Sequence, residues 1–379
     1  MATAATVAIL YANGYRIDQE EGLELSQKGI LVANSDPNGA QVFIDGELKT
    51  ATNNSINLEP GEHNITIRKE GFLPWEKKIT IKEKEVTQVN AFLAPTAPSL
   101  SALTFSGAFN PKITKDLTKI AYGVPFDPKN NGNGEVERDG LWVLETGNLP
   151  LGFSRDPRRI TNGDLSEANW EWSPDGREVL LTAGGGAFLL DAGVFTPQTE
   201  LINIIPQRDD IKRRWESLSN KKLKARLGTL NDELEDIFLT HGTGISFSAD
   251  ESKFLYTATG SATIPEGLVK GLPGSSTQPE KRDIKAGQKY VYDIKEDRNF
   301  LVGDEGSIIM WLPNSLNLLL PEDGKISIID YDGRNFQTIF SGSFIYPNVF
   351  PSSSTGKVLI LTNLGAEDGE NNLYWLGLR

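Results

Sequence analysis

Residues 29–93 consist of short runs in which apolar and polar positions alternate, and each run is bounded by a turn signal. Alternation with a period of two is typical of strands that bury one face. The turn signals include Asp36-Pro37-Asn38-Gly39, Asp45-Gly46 and Glu59-Pro60-Gly61. Asp-Gly between two alternating runs indicates a hairpin, because only small or Asx residues adopt a positive φ at low energetic cost. The pattern predicts six or seven strands that form a small β-sandwich.

The same segment resembles the PEGA domain family at specific landmarks. Residues Gly29–Gly46 are similar to the first hairpin of that family, and Leu58–His63 is similar to the Pro-Glu-Gly-Ala-type turn for which it is named. Lys69-Glu70-Gly71-Phe72 and Trp75 follow in the expected order. The usual Thr-Pro ahead of the third strand is replaced by Ala51-Thr52-Asn53-Asn54, so this loop departs from the pattern. The resemblance implies a cell-envelope module outside the cytoplasm, without known catalysis.

Beyond residue 100, a strand–turn–strand repeat recurs at irregular spacing. Its clearest copy is Trp170–Thr182, which contains Trp-Ser-Pro-Asp-Gly, and other copies start at Phe109, Ile245, Met310 and Val349. Each copy is followed by a third apolar run. Fourth runs follow in most units, among them Arg159-Ile160-Thr161, Leu201-Ile202-Asn203-Ile204 and Phe336–Phe340. Four antiparallel strands per repeat are typical of a β-propeller blade, which buries its faces against neighbouring blades. The repeat resembles TolB-like and WD40-like propellers.

The ends of this repeat region predict how the ring closes. The last unit stops at Arg379 directly after its third run, and a strand-like segment, residues 101–106, precedes the first unit. Because an open ring exposes a strand edge, we expect residues 101–106 to supply the outer strand of the final blade. The count gives five blades, or six if the long insertion near residue 270 contains a degenerate blade. The predicted fold class is all-β: a PEGA β-sandwich plus a five- or six-bladed propeller.

Residues 206–239 interrupt the β pattern with apolar positions at helical spacing. The spacing changes register near Ser219-Asn220, and Gly228-Thr229 followed by Asp232 indicates a new helix start. The pattern therefore predicts two or three short helices. They replace a simple loop between the second and third repeats.

Four segments follow from these patterns. They are an N-terminal segment 1–28, a PEGA sandwich 29–94, a Pro-rich linker 95–100 and a propeller 101–379. The apolar run 2–12 is too short to span a bilayer as a helix, which needs about 20 residues. It is either a short first strand or the outer end of a signal anchor, and the PEGA resemblance favours the anchor. We expect an extracytoplasmic monomer at the cell envelope, anchored at its N-terminus.

Composition excludes several kinds of chemistry. The net charge of −13 repels polyanions, so nucleic acid is not expected as a partner. The chain has no cysteine, which removes disulfides, thiolate metal sites and cysteine nucleophiles. Its two histidines, His63 and His241, are interpreted as a packing or hydrogen-bonding residue and a turn residue, respectively. No zinc spacing is present, and we expect neither a metal nor a cofactor.

Enzyme motifs are weak in this chain. Gly260-Ser261 and Gly274-Ser275 do not fit a nucleophile elbow, and Gly184-Gly185-Gly186 is better explained as a hairpin turn than as a phosphate cradle. Residues 127–135 depart from the spacing of a calcium loop and are interpreted as solvated. Glycosidases need two carboxylates facing one cleft. Glu171 is predicted to point away from Trp170 and Trp172, and Asp175 to cap its own turn.

One surface stands out by charge. Residues 208–226 hold eight basic and three acidic residues in this acidic chain. A cluster of this kind can dock an anionic polymer, a lipid surface or an acidic partner; the alternative is a solvated face on the propeller rim. The predicted partner-binding residues are Arg208, Lys212, Arg213, Arg214, Trp215, Lys221 and Lys222.

These observations favour a non-catalytic binding or scaffold protein, in which the PEGA module presents the propeller to a protein or glycan partner. The alternative is a carbohydrate-active enzyme that uses propeller carboxylates. Two buried or pKa-shifted acids that face a central pocket would favour the enzyme.

Overall fold

The computed structural model describes residues 15–17, 25–126, 138–147, 156–269, 276–354, 356–366 and 369–379. Strands dominate these ranges and pair mainly in antiparallel sheets, which confirms the all-β prediction. Three predicted features lie wholly or largely outside the described residues: the apolar run 2–12, the Asx-rich loop 127–135 and the insertion around residue 270. The first described element is a hairpin of β1 (Tyr15–Ile17) and β2 (Leu25–Gln27).

The next seven strands form two facing sheets. They are β3 (Gly29–Asp36), β4 (Gln41–Ile44), β5 (Glu47–Ala51), β6 (Asn54–Leu58), β7 (Gly61–Arg68), β8 (Trp75–Ile81) and β9 (Val86–Phe92). One sheet has the order β5-β4-β7-β8 and the other β6-β3-β9, in which β3 and β9 run parallel. The turn between β4 and β5 has positive φ at Asp45 (51°) and Gly46 (86°), as predicted for this hairpin.

The apolar positions of these strands meet between the two sheets. Leu31, Val42, Ile65 and Ile67 are at most 1% exposed there, and Trp75 closes one side of the cluster. Alternate positions face solvent, which is the burial pattern expected of strands with one buried face. The predicted small β-sandwich is therefore confirmed.

The remaining strands belong to the repeat region. They are β10 (Leu100–Ala102), β11 (Phe109–Ile113), β12 (Lys119–Val124), β13 (Gly140–Glu145), β14 (Arg158–Thr161), β15 (Asn169–Trp172), β16 (Glu178–Ala183), β17 (Gly186–Asp191), β18 (Gly242–Phe247), β19 (Lys253–Ala258), β20 (Ala262–Thr263), β21 (Asp283–Ile284), β22 (Lys289–Asp293), β23 (Arg298–Gly303), β24 (Met310–Trp311), β25 (Asn317–Glu322), β26 (Lys325–Asp330), β27 (Gln337–Ser341), β28 (Val349–Pro351), β29 (Lys357–Thr362) and β30 (Asn372–Gly377).

In the described residues these strands make five larger sheets, which we call the first to fifth ring sheets. Their strand orders are β11-β12-β13-β14, β15-β16-β17, β18-β19-β22-β23, β24-β25-β26-β27 and β10-β30-β29-β28, with β20 and β21 as a separate small pair. Neighbouring sheets bury their faces against each other, except that helices separate the second and third ring sheets. Phe109 of the first packs edge-on to Trp170 of the second at 5.8 Å, and Leu255 of the third shares a cluster with Trp311 of the fourth.

The last sheet packs back on the first. Leu359 and Leu373 of the fifth ring sheet share a cluster with Ile120 and Tyr122 of the first, and the fourth and fifth sheets share another cluster. A closed ring of antiparallel sheets that bury their faces against the neighbouring elements is a β-propeller. The number of blades in the whole chain stays a prediction.

Strand β10 closes the ring as the sequence predicts, although it is shorter than 101–106. It pairs with β30 through Leu100, Ser101 and Ala102, and the Leu103 amide continues the ladder by donating to the Leu373 carbonyl at 2.8 Å. The outer strand of the fifth ring sheet thus comes from the start of the repeat region.

The second ring sheet lacks the fourth strand predicted at Leu201–Ile204. Two hydrogen bonds at the end of this segment reach β17: the Ile204 amide donates to the Ala187 carbonyl at 2.7 Å, and Asn203 Oδ1 accepts from the Ala187 amide at 3.2 Å. The preceding chain turns to the first ring sheet instead, where the Thr196 amide donates to the Ile160 carbonyl at 2.9 Å. This diversion keeps residues 192–204 from running along β17.

Two α-helices fill the space between the second and third ring sheets. They are α1 (Arg208–Leu227) and α2 (Asp232–His241), and short 3₁₀ turns at Gln198–Glu200 and Ile205–Gln207 precede them. Two helices lie within the predicted number of two or three, and the register change near Ser219-Asn220 falls inside α1 without breaking it. The break after Leu227 is confirmed, with Asn231 as the cap: its side chain accepts from the Glu233 amide.

The change of apolar register within α1 has a physical reason. Ile211 and Trp215 pack on Leu180 of the second ring sheet, whereas Leu227 joins the cluster of the third ring sheet with Phe238 of α2. The helix therefore needs two apolar stripes in different registers, one for each sheet. His241 is the last residue of α2, so its assignment to a turn is wrong.

Candidate functional site between the sandwich and the ring

A cleft of about 480 Å³ lies where the sandwich meets the ring. Strands β8 and β9 form its sandwich side, and turns of the third and fourth ring sheets form the other side. The ring side comprises Asp250, Ser252, Lys253, Ser276, Thr277, Gln278, Asp293, Lys295, Glu296, Leu316, Asp330, Tyr331 and Asp332. The volume of the cleft falls within the range of about 300–1,000 Å³ that is usual for ligand sites.

A buried ion triad spans the junction. Lys77 Nζ of β8 lies 2.9 Å from Asp330 Oδ2 and 2.6 Å from Asp332 Oδ2, and its side chain is 12% exposed. Burial alone would lower the pKa of Lys77, but the charges of Asp330 and then Asp332 outweigh it and raise that pKa. Lys77 is therefore held as a cation between two carboxylates.

Asp330 is the centre of this junction. Its Oδ2 also accepts hydrogen bonds from Trp75 Nε1 (3.2 Å) and Asn335 Nδ2 (2.8 Å), and its Oδ1 accepts from Asn317 Nδ2 (2.9 Å). Burial raises the pKa of Asp330 despite the opposing charge of Lys77. With both oxygens engaged, this carboxyl group is committed to joining the two domains.

Further polar contacts extend the junction along β8. The Glu76 amide donates to Asn335 Oδ1 at 2.9 Å, and Gln278 Nε2 donates to the Lys78 carbonyl at 2.6 Å. Apolar residues continue it near the linker, where Phe92 and Ala94 join the cluster of the fourth and fifth ring sheets. The sandwich and the ring are thus joined by ionic, hydrogen-bonded and apolar contacts.

The floor of the cleft carries a second charge group. Lys253 is 7% exposed; its Nζ lies 3.4 Å from Asp293 Oδ2 and 4.6 Å from the centre of the Tyr331 ring. Glu296 accepts a hydrogen bond from the Ser276 amide at 2.8 Å. Burial raises the pKa of Glu296 despite this hydrogen bond.

Sequence reasoning missed the cleft, although one signal was present. In the alternating strand Trp75-Glu76-Lys77-Lys78-Ile79, Lys77 occupies a position with the same parity as the buried Trp75 and Ile79. A lysine at a core position needs a buried partner of opposite charge. The domain that supplies the partner could not be identified from spacing alone.

The predicted partner-binding residues lie on α1. Three of them form ion pairs: Arg208 with Asp209, Lys212 with Glu171, and Arg213 with Asp210. Arg214, Lys221 and Lys222 are exposed and have no acidic partner in the described part of the chain. Trp215 is 8% exposed and anchors α1 to the second ring sheet, so its ring is not free to contact a partner.

The structure also places the residues considered for catalysis. Trp170 is buried whereas Glu171 is exposed and pairs with Lys212, and Asp175 Oδ1 accepts from the Arg177 amide at 3.2 Å, as predicted for both acids. His63 bonds Asp45 Oδ2 and the Glu59 carbonyl, which confirms its hydrogen-bonding role. Gly184 and Gly185 have positive φ in the β16–β17 turn.

The described ranges contain no group of three or more His, Asp or Glu side chains placed to hold a metal ion. Among their helices, none combines the length and apolar character needed to cross a bilayer.

Residues 28–97 match the PEGA domain family. No curated protein matches the chain. Among solved structures, TolB from Acinetobacter baumannii is 14% identical, covering 84% of this chain and 60% of that one, with a TM-score of 0.20. A putative TolB from Agrobacterium tumefaciens is 11% identical, covering 93% and 99%, with a TM-score of 0.21. The Cps50 (Swd1) β-propeller domain of Myceliophteria thermophila is 12% identical, covering 73% of each chain, with a TM-score of 0.20.

These TM-scores are low, so the propeller assignment depends on the pairing and packing of the ring sheets themselves. The PEGA match coincides with the sandwich of β3 to β9. The chain therefore combines a PEGA domain with a β-propeller, as the sequence landmarks predicted.

Proposed function

We propose that this chain is a non-catalytic binding or scaffold protein outside the cytoplasm, in which the PEGA domain holds the propeller in a set orientation at the cell envelope. The PEGA match supports the location. The buried triad of Lys77, Asp330 and Asp332 supports the fixed orientation, because separating the domains would expose or unpair three charges.

The partner surface in this proposal is the outer side of α1. Arg214, Lys221 and Lys224 are seven and three residues apart, which aligns them on one side of the helix over about 15 Å. That side is turned away from the packed residue Trp215. The stripe of Arg214, Lys221 and Lys224, which we call the basic stripe, is the observation that carries the proposal, because it lies without acidic partners in the described part of a chain of charge −13.

An acidic protein fits the basic stripe better than a membrane or a glycan. The large apolar residues of α1, apart from the half-exposed Leu218, are used in packing, so there is no apolar face to insert into lipid. Its only aromatic residue, Trp215, is buried, so sugar rings have no exposed surface on which to stack. Exposed Lys and Arg charges on one helix side are complementary to the carboxylates of an acidic protein surface.

Reversing the stripe tests this surface. We expect the triple variant Arg214→Glu, Lys221→Glu, Lys224→Glu to bind fluorescent poly-L-glutamate about tenfold more weakly at low salt, because three exposed ion pairs contribute up to about 1 kcal/mol each. Fluorescence anisotropy measures the affinity. Charge reversal is preferable to deleting the helices, because Leu227, Leu234 and Phe238 belong to the core.

The matched control reverses Lys84, Lys281 and Lys285, which lie outside α1, are exposed and have no acidic partner among the described residues, and it changes the net charge equally. It should retain most of the affinity. If both triple variants lose the same affinity for poly-L-glutamate, the effect comes from net charge alone, which contradicts a specific role of the basic stripe. Tighter binding to anionic vesicles or to an anionic polysaccharide than to poly-L-glutamate would also contradict an acidic protein as the partner.

A glycosidase is the second candidate, because two acids of raised pKa, Asp330 and Glu296, line one cleft. Against it, the oxygens of Asp330 already accept four donors. We expect no turnover of chromogenic glycosides by the wild-type chain. Hydrolysis that is lost in Glu296→Gln would favour the enzyme and overturn the proposal.

A further inference from the structure

Strand β9 of the PEGA domain presents its backbone edge to the cleft. Five consecutive residues, Val86 to Asn90, line the cleft. Side chains of a strand alternate between two faces, so consecutive residues border the same space only where the strand edge faces it. On its other side β9 pairs with β3, and within the described residues no strand pairs with the cleft-facing edge.

Two hydrogen bonds identify the backbone groups on that edge. The Ile30 amide donates to the Glu85 carbonyl at 2.9 Å, and the Leu93 amide donates to the Asp36 carbonyl at 2.8 Å. Glu85 and Leu93 flank β9, and both have odd numbers. The backbone amides and carbonyls of odd-numbered residues in this strand therefore point toward β3. Because backbone groups alternate in direction along a strand, the amides and carbonyls of Gln88 and Asn90 point into the cleft.

The charges around the cleft are unevenly compensated. Lys77 is neutralised by Asp330 and Asp332, and Lys253 lies beside Asp293. Lys295 also lines the cleft, is exposed, and has no acidic partner among the described residues. Asp250 and Glu296 line the cleft as well, so its lining is acidic overall. Lys295 is the local exception, an exposed cation beside which one acidic side chain can be placed.

We propose that the cleft binds an extended peptide, which pairs with the edge of β9 as a fourth strand of the β6-β3-β9 sheet and places an acidic side chain beside Lys295. Strand addition supplies affinity through main-chain hydrogen bonds, and side-chain contacts supply selectivity. The cleft is bounded on its far side by propeller turns, which limits the added segment to a short strand. This site is separate from the basic stripe on α1, and neither depends on the other.

The test uses a capped pentapeptide of Thr, Val, Asp, Val and Thr, and two versions of it that are N-methylated either at positions two and four or at positions one, three and five. A strand has two edges, and only one of them faces β9. We expect the unmodified peptide and one methylated version to bind, and the other version to bind at least about tenfold more weakly, since it loses two or more hydrogen bonds. Isothermal titration measures the three affinities.

Hydrogen exchange supplies a second readout on the full chain. The Gln88 and Asn90 amides should become protected when the peptide is added, whereas the Thr87 and Val89 amides, which face β3, should not change. No binding of the unmodified peptide at about 1 mM, or equal binding of both methylated versions, would overturn strand addition.

A charge swap tests the role of Lys295. Lys295→Glu should lower the affinity for the aspartate peptide by about two- to five-fold. A peptide with lysine in place of aspartate should bind this variant with the original affinity. Lys82→Glu, on the exposed surface of the PEGA domain, is the matched control and should change neither affinity. If the lysine peptide does not recover affinity for Lys295→Glu while the two methylated peptides still differ in affinity, the acidic preference is wrong. Equal loss of affinity for the aspartate peptide in Lys295→Glu and Lys82→Glu would also contradict it.

Discussion

Lys77→Met is expected to lower the free energy of unfolding by about 3–5 kcal/mol, the usual cost of removing one partner from a buried ion group. The variant keeps most of the side-chain volume but leaves Asp330 and Asp332 buried without their cation. Chemical denaturation followed by tryptophan fluorescence measures the change, since Trp75 lies at the junction and donates to Asp330.

Two controls separate charge from packing. Lys78→Met removes a neighbouring exposed lysine that pairs with Glu62, and its effect should stay below about 1 kcal/mol. Combining Lys77→Met with Asp332→Asn removes one of the two uncompensated charges, leaves the hydrogen bonds accepted by Asp330 in place, and should restore part of the loss. If Lys77→Met proves as mild as Lys78→Met, the triad does not hold the two domains together.

Ser101→Pro is expected to destabilise the ring by about 1–3 kcal/mol and to promote aggregation. The Leu103 amide donates to the Leu373 carbonyl, and the Gly377 amide donates to the Ser99 carbonyl. Residues of β10 with odd numbers therefore face β30, and the Ser101 amide completes the ladder opposite Trp375. Proline removes that donor and loosens the closing strand.

Ala102→Pro is the matched control, because the amide of Ala102 points away from β30. Its effect on the free energy of unfolding should be the smaller of the two, with little aggregation. Denaturant unfolding and light scattering measure both properties. Equal destabilisation by the two variants would mean that the proline ring itself, and not the lost ladder bond, is responsible.

Much of the fold follows from local patterns in the sequence. Alternating runs and Asp-Gly turns predict the PEGA strands, and the repeat around Trp170 predicts the hairpin of β15 and β16. The closing strand also follows, because the last unit lacks an outer strand and residues 101–106 have the pattern of one. These signals are local or depend only on counting strands.

The errors arise where distant parts of the chain decide the outcome. The apolar run Leu201–Ile204 has strand character, yet a hydrogen bond from Thr196 to the first ring sheet diverts the chain before it can run along β17. The change of apolar register inside α1 does not mark a helix end, because the two registers face two different sheets. The Lys77 triad joins positions more than 250 residues apart, a separation that sequence spacing does not reveal.

The triad also determines how a pull on the PEGA domain would reach the propeller. Residues 93–99 lead directly from β9 to β10, so tension carried by the linker alone would peel the closing strand from β30. The contacts of Trp75 and Lys77 with the Asp330 turn offer a parallel route into the fourth ring sheet. Part of a force applied to the PEGA domain would thus enter the fourth ring sheet through buried side chains instead of acting on β10 alone.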